Sequence, residues 1–228
     1  MNQIKVFTYN DLPEPPFDGK YRVIDEKLIE YLVKIVRRTI ENREFIRYMK
    51  KEMDIGRCAF YKDYDMKNGF TIELHHAPLT LYDITYAVAI KIFKASDNKE
   101  PFIYPYQVVD EVNYLHFNGL VGLVPLNPTA HELVHDDMLD LHPQMIVGRY
   151  KEFYSMYKPY MTDESKMKIK EFNDLESKDP NTIPSILKYK PIMIKNSKFK
   201  SLGNLKLQEL IIEKQTKRFI EAQKEEKH

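Results

Sequence analysis

Four of the seven histidines fall in two tight groups, His75-His76 and the pair His131 and His135. No other feature constrains the fold as closely. His131 and His135 sit four apart in a segment that reads as a helix, a spacing that puts them on one helical face one turn apart. The doublet instead closes the apolar run Phe70-Thr-Ile-Glu-Leu74, the pattern of a strand end. A fold that brings the two groups together must set a strand end against a helix face, and two imidazoles one turn apart can then reach a single metal ion.

Composition sets the frame for such a site. The chain has 228 residues, 30% charged and 43% hydrophobic, ordinary for one globular domain with appendages. No apolar run approaches the ~20 residues that span a bilayer, and Met1 to Phe7 lacks a signal-peptide layout. Cys58 is the single cysteine, which excludes an internal disulfide framework and a Cys-x-x-Cys zinc knuckle. Together these point to a cytoplasmic protein without membrane contact. A net charge of +1 argues against coating nucleic acid by bulk electrostatics. Charge is uneven, however: residues 27–51 carry eight Lys/Arg against three Glu, and residues 186–228 eleven against five. Arg37, Arg38, Arg43, Arg47, Lys50 and Lys51 are therefore candidates for phosphate contacts, with solvated helix faces as the equal alternative.

Periodicity gives the coarse organisation. Ile4 to Tyr9 reads as a strand, and residues from about Asp25 to Met53 as the longest helical pattern. Cys58 to Lys62 and Phe70 to Leu74 read as a strand pair turned at Asn68-Gly69. Helices are expected near Leu81 to Phe93 and Tyr106 to Phe117, and Val121 to Val124 as a short apolar strand. Thr129 is placed to cap the His131 helix, with Glu132 three residues on as a capping-box partner. The Tyr150 to Tyr160 aromatic stripe has helical spacing and reads as core. Ser177 to Pro184 is the linker candidate, and Asn204 to Lys224 a last helix. His116 and His142 read as structural, and Cys58 as buried and inert.

The two histidine segments resemble the HNH (ββα-metal, His-Me finger) endonucleases, in the colicin-nuclease variant. "ELHHAPL" is similar to the start of that motif, and "GLVPLNPTAHELVHD" to its close. The resemblance implies metal ligation by His75, His131 and His135, and a general-base role for His76. Its neutral imidazole would take a proton from the attacking water, beside a divalent ion (Mg, Mn, Ni or Zn) on the scissile phosphate. Gly122 stands where that family has an asparagine, and the connection from Ala77 to Val121 is longer than usual.

The reading carried forward is an α+β fold: a ββα-metal core (57–142) between an N-terminal strand and basic helix (1–56) and a helical C-terminal region (143–228), with a linker near 177–190. Its expected function is metal-dependent phosphodiester hydrolysis of DNA or RNA in the host cytoplasm, with phage encoding suggested by the motif type. Glu132 and Asp136 are possible supports for a ligand histidine. Two alternatives stay open. His131-Glu132-Leu-Val-His135 is also an HExxH string, which would make Glu132 the base of a zinc protease with a third ligand from Asp140 or His142. The other is a catalytically inactive binding or structural protein of a phage, with a phage or host protein as partner.

Overall fold

The computed structural model describes residues 18–175 apart from 54, 62, 97 and 98. The expected strand at Ile4–Tyr9, the linker near 177–190, the last helix and the basic stretch 186–228 lie outside the described residues. Within them the fold is α+β, mainly helical, with one small antiparallel sheet.

The long N-terminal helical pattern is two helices, not one: α1 (Glu26–Arg38) and α2 (Ile40–Lys51). Thr39 breaks it, extended at φ −62° and ψ 154°, and its Oγ1 accepts from Asn42 N at 3.1 Å. A threonine that caps the next helix competes with continuation of the first. The apolar face of α1 nonetheless buries Leu28, Ile29, Leu32 and Val36, as its three- and four-residue spacing requires.

The sheet pairs β1 (Glu73–His76) with β2 (Leu123–Leu126), in the register Glu73 to Leu126 and His76 to Leu123. This corrects the expected local strand pair. Cys58 N–H donates to Tyr64 O and Met66 N–H to Gly56 O, so Cys58 is paired within its own segment and not with Phe70–Leu74. Gly69 ends a single 3-10 turn at Met66–Asn68 rather than a hairpin. β2 is fully buried; Ala59 N–H donates to Pro125 O (2.7 Å), and Leu123 exchanges two backbone hydrogen bonds with Val147. A buried four-residue strand could not leave those groups unpaired.

Between the strands run α3 (Leu81–Ala95) and α4 (Pro105–Phe117). α3 starts in a capping box of Thr80 and Asp83 and packs against α1, α4 and α6 (Tyr150–Tyr157). Tyr150, Phe153 and Tyr157 of the aromatic stripe are buried in the core. α7 (Asp163–Asp174) is tied down where Ser165 Oγ donates to Asp83 Oδ1 at 2.8 Å. No helix among the described residues is long and apolar enough to cross a membrane.

Candidate metal centre

After β2 the chain enters α5 (Pro128–His135). Its cap is Asn127, not Thr129: Asn127 Oδ1 accepts from Ala130 N at 3.1 Å, and Pro128 takes the first helical position, where its missing N–H costs nothing. Asn127 is itself held by Cys58, whose thiol donates to Oδ1 (3.6 Å) while the Asn127 N–H donates to Sγ (3.4 Å). The helix ends at His135, with Asp136 as its C-cap. Asp137 turns left-handed at φ +54°, with Asp137 N–H on Val134 O and Met138 N–H on Leu133 O. These two bonds make a Schellman ending with aspartate in the usual glycine position. Asp136, expected as a ligand support, is the exposed C-cap, and Glu132 is exposed as well.

This places three of the candidate residues together. One nitrogen from each of His75, His131 and His135 lies within 4.8 Å of the others. Nε2 of His131 and of His135 are 3.2 Å apart, and the His75 ring centroid is 5.0 Å from each. Two nitrogens on one tetrahedral zinc at ~2.0–2.1 Å stand roughly 3.3 Å apart, so the α5 pair already has ligand spacing. Burial, and behind it the two neighbouring imidazoles, hold His75 down to about 4, so its lone pair is free near neutrality. Three imidazoles on a strand and a helix fit a borderline metal such as zinc better than Mg²⁺ or Ca²⁺, which prefer oxygen.

A fourth residue completes the arrangement, and the motif reading missed it. His131 Nδ1 is hydrogen-bonded to the Glu73 carboxylate. The signal was present in strand geometry: Glu73 and His75 are two apart on β1 and share its face.

His76 faces the other way. Its Nε2 lies 2.8 Å from Nε2 of His116 on α4, and His116 Nδ1 lies 2.7 Å from Val112 O. A carbonyl only accepts, so His116 carries its proton on Nδ1 and takes the Nε2–H of His76. Burial pushes His116 down to about 4 and His76 well below its ordinary value; both are neutral. The expected general base is thus half of a histidine pair packed edge-on to Phe45, outside the three-imidazole cluster. His142 is buried, with Nε2 3.1 Å from Leu175 O and Nδ1 accepting from Gln144 N. His142 is thus committed elsewhere, and Asp140, the protease reading's other downstream candidate, lies outside the cluster, whose third imidazole comes from β1.

The phosphate candidates are spread over two helices. Arg37 and Arg38 close α1, Arg43 and Arg47 lie on α2, and Arg47 pairs with Glu44 at 2.6 Å. Lys50 is half-buried and feels the charge of Glu73. Gly122 departs from the endonuclease pattern for a local reason: a Cβ there would stand 2.0 Å from Ala77 O, where the Ala77 N–H donates to Gly122 O. An asparagine cannot occupy that site without separating the strand ends.

No curated protein and no solved structure matches the chain. A family model described as Bacteriophage G278-like virion protein matches residues 19–200. The match corrects the endonuclease assignment and the nuclease and hydrolase function drawn from it, as well as the location in the host cytoplasm; a phage origin agrees with it. That match spans most of the sequence, so the chain belongs to the Bacteriophage G278-like virion protein family.

Proposed function

We propose that this protein is a structural component of the phage particle, and that His75, His131 and His135 hold a zinc ion that braces its fold. The observation that carries the reading is the family match over residues 19–200. The imidazole cluster gives the structural role a physical means. Among the described residues the sheet is two strands of four residues, and two-stranded pairs are marginal alone. An ion held by β1 and α5 would cross-link segments that are far apart in sequence, adding its binding energy to the stability of the fold. Particles must survive outside the cell, where such a brace is useful.

The test is direct. Purified particles analysed by mass spectrometry should contain the chain at a fixed copy number, with about one zinc per chain in the isolated protein by elemental analysis. A chain abundant in lysates but absent from particles would contradict the structural role. A zinc-free protein that takes up none on addition would remove the brace.

A further inference from the structure

We infer that Glu73 is the positioning carboxylate of the metal site: it keeps the proton on His131 Nδ1 and thereby turns a bare Nε2 toward the ion. This rests on the metal reading above. The argument is one of donors and acceptors. Glu73 and His75 share one face of β1, and His131 on α5 spans between them, its Nδ1 on the Glu73 carboxylate and its ring 5.0 Å from His75. A carboxylate only accepts, so Nδ1 carries the hydrogen and Nε2 is left with its lone pair. Nε2 of His135, 3.2 Å away, must then supply the hydrogen between them in the metal-free protein. Metal capture therefore asks one group to change: His135 moves its proton from Nε2 to Nδ1, while His131 is already in its ligand tautomer.

Lys50 adds a longer-range charge. It lies on α2, is half-buried, and its charged form is favoured by Glu73 against the larger effect of burial. The direct partner of the carboxylate is His131 on α5. Carboxylates that accept from a ligand histidine fix its ring orientation and raise its basicity, and losing one typically lowers metal affinity about 10–100-fold.

The experiment uses the full-length protein with Zn²⁺ as the probe, comparing wild type, Glu73→Gln and Glu73→Ala. Zinc competition titrations should rank affinity as wild type, then Gln, then Ala, with the Ala variant roughly 10–100-fold weaker. Long-range ¹H–¹⁵N spectra of the metal-free protein should show His131 as the Nδ1–H tautomer in wild type and as a mixture in Glu73→Ala. The Glu73 side chain is 44% exposed, so thermal midpoints without zinc should agree within about a degree. Equal zinc affinity in all three proteins, or an unchanged His131 tautomer in Glu73→Ala, overturns the role of Glu73 while leaving the metal site standing. Absence of zinc binding in wild type overturns both, and the two failures are distinguished by that control.

Discussion

His75 and His76 are neighbours in sequence and opposites in environment. His75 faces α5 and the imidazoles of His131 and His135; His76 faces α4 and pairs with the buried His116. Backbone alternation alone separates them, because successive side chains of a strand point to opposite faces. One face of β1 gathers imidazole nitrogens within reach of a single ion. The other spends its imidazole on the core. A doublet that looks like one functional unit is two structural decisions, and only the His75 half has the chemistry of a ligand.

Breaking the strand pairing should collapse both faces together. Gly122→Ala puts a Cβ 2.0 Å from Ala77 O, against backbone that cannot rotate away. A loss of roughly 3 kcal/mol or more is expected, at the upper end of overpacking costs, with zinc binding weakened in parallel; urea denaturation and zinc titration would measure the two.

The buried face can be damaged selectively. His116→Ala removes a buried ring packed on Phe45 and leaves the His76 Nε2–H without its acceptor. The expected cost is about 2–3 kcal/mol, with zinc affinity changed less than stability. The same face should make the protein acid-labile. An unfolded imidazole titrates near ~6.5, whereas His116 in the fold stays neutral down to about 4. Between those values the unfolded chain binds the extra proton, so stability is full above pH 6.5 and falls as pH drops toward 4. Denaturation midpoints at pH 7.5 and 5 should show that loss, and its His116 share should vanish in His116→Ala.

A smaller effect sharpens the other face. Asn127→Ala removes the cap of the helix that carries His131 and His135, costing about 1 kcal/mol. Because the helix start also sets where the α5 imidazoles stand, zinc affinity should fall several-fold. An unchanged affinity would mean that the ligand geometry is fixed by the helix body instead.

The local signals in the sequence were legible where periodicity and spacing decide the outcome. The expected helices near Leu81 and Tyr106 form as α3 and α4, and the four-residue step puts His131 and His135 at ligand spacing. What failed were competitions. Thr39 interrupts a continuous helical pattern by capping in both directions, and Asn127 outcompetes Thr129 because Cys58 and Pro128 favour its position. Asn68-Gly69 suggested a hairpin, but the partner of β1 lies beyond two intervening helices, and no local pattern encodes a pairing of that range. The catalytic reading failed for a related reason. It treated His76 as free to act on a ligand, whereas the acceptor that claims it, His116, comes from a distant helix.

The difference between the two faces of β1 is tested most directly by the gain in stability on adding Zn²⁺, measured by denaturation of wild type, His75→Ala and His76→Gln. At zinc about 100-fold above its dissociation constant, wild type should gain about 2.7 kcal/mol. His76→Gln should start less stable yet gain nearly as much, and His75→Ala should gain almost nothing. An undiminished gain in His75→Ala, or its loss in His76→Gln alone, would contradict the assignment of the ion to the His75 face.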